Sequence, residues 1–191
     1  LFPLSGFIRR SAMSVFQPNL ILKDVTRIDR ALLRANGLRG LILDVDNTLT
    51  LHDSQMLRGD VRAWIESMRA ADIQMIIVSN NYYDRVKPFA DSLSLDFVSM
   101  GMKPLTIGFT KAQKQMQLPV QEIAVVGDQI YTDIVGGNLK GMFTILVQPM
   151  LLENGWTFKI RRNLETIHIR TYYRKRSPAR EEKPEPHSIR R

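Results

Sequence analysis

Residues 41–50 read LILDVDNTLT, an apolar run that passes directly into Asp44 and Asp46 with a single valine between them. Aspartate is a poor strand former and is costly to bury unpaired. The pair makes physical sense at the C-terminal end of a core strand. There the chain leaves the sheet and can bend, so both carboxylates reach one site although residues two apart in a strand face opposite sides.

Working outward, similar short Ile-, Leu- and Val-rich runs occur at 73–78, 95–98, 123–126 and 144–147, with the first at 41–45. They are continuous rather than alternating, the pattern of strands buried on both faces of a parallel sheet. Helix-length segments separate them. Residues 60–70 place Val61, Trp64, Ile65 and Met68 on one face, and residues 83–93 do the same with Val86, Phe89, Ala90 and Leu93. Residues 106–116 and 130–140 are further helical candidates, and 17–38 reads as an extended entry followed by one helix stopped at Gly37. Strand and helix alternate, so the expected fold is α/β, a Rossmann-like doubly wound parallel sheet.

In such sheets chemistry gathers at the C-terminal strand ends. The polar residues obey this. The second run ends in Ser79-Asn80-Asn81, the fourth in Gly127-Asp128, and Lys103 follows the third. Asp44, Asp46 and Asp128 together form a like-charge cluster that is unstable unless a cation or a proton neutralises it. Oxygen ligands without His or Cys favour a hard ion such as Mg²⁺. Lys103 and the Ser79 hydroxyl suit a phosphate, so the composite reads as phosphoryl transfer. Asn47 and Asn81 read as loop formers, and Gly136-Gly137, inside a helical pattern, as a site of close helix packing.

The motifs DVDNT, SNN, KP and GDQIYTD, in this order, resemble the four motifs of the haloacid dehalogenase (HAD) superfamily. More narrowly, GLILDVDNTL, IIVSNNYYDRVKPFA, KPLTIGF and the stretch IAVVGDQIYTDIVGGNLKGMFTILVQP resemble the YqeG-like HAD phosphatases, which are similar to phosphatidylglycerophosphate phosphatases. The resemblance covers roughly residues 17–165. It implies Asp44 as nucleophile, forming an aspartyl-phosphate. Asp46 would be the general acid and base, with its backbone carbonyl a Mg²⁺ ligand alongside Asp44 and Asp128. Asp133 would be a supporting or water-mediated ligand. Ser79, Asn80 and Lys103 would bind the phosphoryl group, and Thr48 would shape the loop.

Family members use inserted caps to select substrates. Only LTLHDSQMLRG, residues 49–59, separates the first motif from the next helix, so the site is expected to be essentially capless and open to a bulky substrate. His52 in that stretch reads as a surface residue. The charge is segregated: residues 156–191 hold 11 Lys/Arg against 4 Glu, so +7 of the total +8 lies there. Residues 156–176 combine this charge with Trp156, Phe158, Ile160, Leu164, Ile167, Tyr172 and Tyr173, the composition of a basic amphipathic segment on an anionic membrane, or equally of a final helix packed on the domain with a solvated basic end, two readings that are compatible. The chain accordingly divides into a flexible or membrane-surface segment (1–16), the phosphatase domain (17–155), the basic segment (156–176) and a Pro- and charge-rich disordered tail (177–191).

No apolar run approaches the roughly 20 residues of a membrane span. The apolar start, interrupted by Arg9 and Arg10, lacks the order of a signal peptide. The absence of cysteine excludes disulfides and thiolate chemistry and fits a reducing compartment. The expectation is a Mg²⁺-dependent phosphomonoesterase, cytoplasmic and peripheral on the inner membrane face. It would convert phosphatidylglycerophosphate to phosphatidylglycerol, with no nucleic-acid partner. The alternatives are a phosphatase of a soluble or nucleic-acid ester, and a non-enzymatic basic binding module.

Overall fold

A computed structural model describes residues 14–50, 57–150 and 165–174. Six parallel strands form one sheet in the order β1-β6-β5-β2-β3-β4. They are β1 (Leu20–Leu22), β2 (Gly40–Leu43), β3 (Gln74–Val78), β4 (Asp96–Val98), β5 (Ile123–Gly127) and β6 (Phe143–Val147). Crossovers run through α2 (Gly59–Arg69), α3 (Tyr83–Ser92), α4 (Ile107–Met116) and α5 (Val135–Lys140), with α1 (Arg30–Ala35) leading into β2. Residues 165–174 form a last helix, α6.

The continuous apolar runs are buried because both faces of the sheet are covered. Leu41, Leu43, Met75, Ile77 and Val126 pack with Leu33 of α1, Trp64 and Ile65 of α2 and Phe89 of α3. On the other face Ile42, Ile76, Val78 and Val125 pack with Phe109, Ala112 and Met116 of α4. Alternate residues of β2 thus serve opposite layers. At roughly 1.5–3 kcal/mol per large apolar side chain removed from water, these two layers carry much of the stability.

The connectivity sets the position of the site. From β2 the chain winds outward to β3 and β4, then returns to pair β5 on the other side of β2. The strand order reverses between β2 and β5, and ligands of open α/β sheets bind at such a switch point. Asp44 and Asp128 are the residues that follow those two strands.

Several boundaries differ from the sequence reading. β2 ends at Leu43 rather than at residue 45, although the Asp44 N–H still donates to Val126 O at 2.9 Å. The carbonyl of Val45 then collects the N–H groups of Thr48, Leu49 and Thr50, and Asn47 adopts a left-handed φ of 59°. The chain curls at once, which brings Asp46 round to the edge. The extended entry before α1 includes β1, which pairs with β6 as an edge strand. Three residues carry too little pattern to be read as a strand, and the partner supplies the hydrogen bonds. Gly37, at φ 66°, ends α1 as expected.

Residues 130–140 form one helical segment, but its first turn, Ile130–Ile134, is a π-helical turn, with the Ile134 N–H donating to Gln129 O at 3.3 Å. Gly136 and Gly137 serve close packing: a Cβ on Gly136 would lie 2.4 Å from Phe109, and one on Gly137 would lie 2.7 Å from Thr144.

Helix α6 docks against that π turn. Ile169 joins Ile130, Ile134 and Leu146 in a small apolar cluster, Tyr172 is buried, and the His168 ring stacks on Phe16 with centroids 4.8 Å apart. Ile167, Arg170, Tyr173 and Arg174 face solvent. The described part of the basic segment therefore packs on the domain and leaves a basic and apolar face outside. The segments 1–13, 51–56, 151–164 and 175–191, and with them His52, Trp156, Phe158, Ile160, Leu164 and all of the expected tail at 177–191, lie outside the described residues.

Candidate active site

Asp44, Lys103, Asp128 and Asp133 meet at the switch point, all buried. Lys103 Nζ donates to Asp44 Oδ1 at 2.5 Å and to Asp133 Oδ1 at 2.7 Å. Carboxylate oxygens of Asp44, Asp128 and Asp133 lie within 4.8 Å of one another. Asp133 reaches this place from the first, π-helical turn after β5 because Gly127 has no side chain. A Cβ there would sit 2.3 Å from the Asp133 carboxyl carbon. The Gln129 N–H, at 3.2 Å from Asp133 Oδ2, helps to hold that carboxylate in its place.

Electrostatics match the geometry. Burial pushes the Asp44 carboxyl up, the Lys103 ammonium pulls it down and Asp133 pushes it up again, leaving it at about 6 against an ordinary 3.8. Burial alone would lower the Lys103 pKa, but Asp133 and then Asp44 outweigh it and raise the value, so this lysine is a permanent cation. Three buried carboxylates beside one ammonium remain an excess of negative charge. An all-oxygen set of this kind suits a divalent hard cation.

Asp46 occupies a different environment two residues on. Its carboxylate accepts from Asn81 Nδ2 at 2.6 Å and from the Arg85 guanidinium at 2.7 Å, and its side chain is 14 % exposed. The Asp46 side chain thus stands apart from the three-carboxylate cluster, and Asp133 is the third member. Ser79 is buried at the end of β3, its Oγ accepting from the Asn81 N–H at 3.1 Å. Asn80 clamps the loop that carries Lys103: its Nδ2 donates to Lys103 O at 3.0 Å, and its Oδ1 accepts from Lys103 N at 2.7 Å. Thr48 Oγ1 lies 3.4 Å from Asp44 Oδ2, at the limit of a hydrogen bond, consistent with a role in shaping the loop.

The structure also places residues at the site that sequence reasoning did not assign to it. Asn81, read as a loop former, holds Asp46. Arg85 stands at the third position of α3, where a cation opposes the helix dipole. That misfit with the dipole is the one signal in the sequence that Arg85 has a carboxylate partner. Glu165, on α6, accepts from the Ile130 N–H at 2.9 Å and so caps the π turn that carries Asp133. Nothing in the sequence marks it, because its partner is a backbone group 35 residues away.

The described surface also has a hollow of about 520 Å³ bordered by Gln74, Asp91 and Asp96. It lies at the starts of β3 and β4, the sheet edge opposite the carboxylates, and has no part in their chemistry.

Residues 20–139 match the family of haloacid dehalogenase-like hydrolases. The chain is 35% identical over 150 residues to the probable phosphatase YqeG of Bacillus subtilis (strain 168), a match covering 78% of this chain and 87% of that protein. It is 28% identical over 168 residues to the chloroplastic/mitochondrial phosphatidylglycerophosphate phosphatase 1 of Arabidopsis thaliana. That match covers 83% of this chain but 48% of the plant protein, so the chain spans about half the length of that relative. Among solved structures, an uncharacterised protein from Listeria monocytogenes serotype 4b superposes with a TM-score of 0.51 at 20% identity, covering 62% of this chain and 84% of its own, a likeness of fold alone. With the parallel sheet, the motif order and these matches together, the chain belongs to the haloacid dehalogenase-like hydrolases, as a YqeG-like phosphatase.

Proposed function

We propose that the protein hydrolyses phosphatidylglycerophosphate to phosphatidylglycerol through an aspartyl-phosphate on Asp44, with Mg²⁺ as its cation. The observation that carries the chemistry is the setting of Asp44: a carboxylate at the switch point, 2.5 Å from a lysine ammonium and beside two further buried aspartates. Asp44, Asp128 and the Asp46 backbone carbonyl would hold the cation, with Asp133 supporting them. When bound, Mg²⁺ lessens the repulsion between the nucleophile and the phosphoryl oxygens and offsets charge in the transition state.

Asp44 attacks phosphorus as the bond to the alkyl oxygen breaks, and Asp46 gives that oxygen its proton. Arg85 and Asn81 hold the carboxylate that results. Asp46 then takes a proton from water, which attacks the aspartyl-phosphate, releases inorganic phosphate and restores Asp44. Lys103 has three N–H donors; two engage Asp44 and Asp133, and a third can meet a phosphoryl oxygen beside the Ser79 hydroxyl. Asn80 keeps the Lys103 loop in register.

The lipid substrate draws on the naming of two relatives as phosphatidylglycerophosphate phosphatases and on the connection between β2 and α2, which is too short in sequence for a cap domain. A peripheral position on the cytoplasmic membrane face draws on the basic charge of residues 156–191. No helix among the described residues is long and apolar enough to cross a membrane.

The test is phosphate release from detergent-dispersed phosphatidylglycerophosphate and from soluble esters, with Mg²⁺ and with chelator. Release from the lipid that stops on chelation is expected. Turnover of soluble esters alone sinks the lipid reading. No turnover of either, together with no beryllofluoride adduct at Asp44, sinks the enzymatic one.

A further inference from the structure

Ten large hydrophobic side chains are exposed among the described residues, and six of them fall in two short segments, 82–83 and 100–107. These are Tyr82, Tyr83, Met100, Met102, Leu105 and Ile107; Tyr82 is 74 % exposed and Met100 59 %. Scattered exposed apolar residues need no explanation, but a cluster beside a functional site does. Both segments sit on the C-terminal edge of the sheet. Tyr82 follows Asn81, which holds Asp46, and Met102 precedes Lys103. The two segments are tied together: Met100 N–H donates to Asn81 O at 2.9 Å, and Gly101 N–H to Ser79 O at 2.8 Å.

The backbone sharpens the point. Met100 and Met102 both adopt left-handed φ, 47° and 55°, a conformation that glycine or asparagine would take at lower cost. Their side chains gain little burial in return. Burial within the fold therefore does not account for methionine at these two places.

We propose that residues 82–83 and 100–107 form an apolar rim that docks the mouth of the active site onto an anionic phospholipid surface. The inference rests on the lipid-phosphatase reading above and adds the surface that delivers the substrate. A rigid protein partner seated on both segments would cover Lys103 and Asp46, whereas a fluid lipid surface presents the phosphate while touching the rim. Tyrosine, methionine, leucine and isoleucine are side chains that enter the headgroup boundary. Exposed Lys111 lies one helical turn beyond Ile107, a cation beside the rim that is complementary to anionic lipid. This rim lies on the domain itself and is separate from the basic C-terminal segment.

The test uses the full chain and vesicles of phosphatidylglycerol and phosphatidylcholine that contain no substrate. The Leu105→Gln/Ile107→Gln pair should bind these vesicles about tenfold more weakly or worse, while turnover of a soluble phosphate ester stays within twofold. In a second measurement, Ile107→Trp in a Trp64→Phe/Trp156→Phe background should shift its emission to the blue when vesicles are added. Vesicle binding that is unchanged in the double variant, or unshifted emission, overturns the proposal. So does a change of oligomeric state in the double variant with vesicle binding intact, which would make the rim a contact between copies. Wild-type protein that binds vesicles through the rim but releases no phosphate from the dispersed lipid overturns the substrate reading alone.

Discussion

At the floor of the site Asp44, Lys103, Asp128 and Asp133 are each at most 9 % exposed, whereas a few residues away the side chains of Tyr82, Met100, Met102, Leu105 and Ile107 stand about half or more in solvent. Charge lies inside and apolar surface outside, the reverse of what folding alone favours. The floor departs from the rule because phosphoryl transfer needs concentrated charge away from water, where electrostatic effects are strongest. The rim departs from it at the mouth of the same site. Both departures occur on one edge of the sheet, while the strands themselves are apolar on both faces.

The floor can be broken most severely at Asp44. Asp44→Asn should lower turnover by about a thousandfold or more, read by phosphate release. The same change should stabilise the metal-free protein. The folded-state pKa of Asp44 is about 6, above the ordinary 3.8, so its protonated form favours folding at low pH and that contribution is lost as pH rises through 6. Melting curves in chelator should show Asp44→Asn gaining on wild type between about pH 4 and 6. Above that the difference should hold steady, on the order of 2–3 kcal/mol. A melting temperature that is equal or lower at pH 7.5 would contradict this picture of the floor.

Lys103→Met removes the one ammonium between Asp44 and Asp133 and should reduce turnover by roughly 10²–10³-fold. It leaves buried carboxylates without that partner, so denaturant unfolding without metal should show a loss of about 3–5 kcal/mol. Gly127→Ala tests the close approach that admits Asp133. Displacing that carboxylate should weaken divalent-cation binding by about 10–100-fold in calorimetric titration, with the fold intact by circular dichroism.

Glu165→Ala should have the smallest effect. Losing the acceptor for the Ile130 N–H should cost about 1–3 kcal/mol and lower turnover several-fold, while Glu165→Gln, which keeps an acceptor oxygen, should recover most of both. If alanine and glutamine behave alike, the cap on the π turn does not matter to the site.

Much of this was legible along the chain. The parallel α/β class followed from the continuous apolar runs, and Asp44, Asp46, Ser79, Lys103 and Asp128 stood out because each ends or follows such a run. Their meeting in space is a consequence of topology, and the switch point between β2 and β5 explains it. β1 was not legible as a strand, since three residues at an edge owe their conformation to β6. The widened first turn of the segment at 130–140 was hidden for a similar reason: a helical period reads alike whether that turn is α or π.

The sequence by itself determined the fold class, the family and the residues able to carry the chemistry, because burial periodicity and motif spacing are local properties of a chain. Tertiary structure decided how those residues divide their work. It drew Asp133 in beside Asp44 and Asp128, turned Asp46 towards Arg85 and Asn81, and set Glu165 under the π turn. It also gathered six scattered apolar residues into one rim. These are relations between side chains distant in sequence, and they depend on which strand ends the folding of the chain makes neighbours.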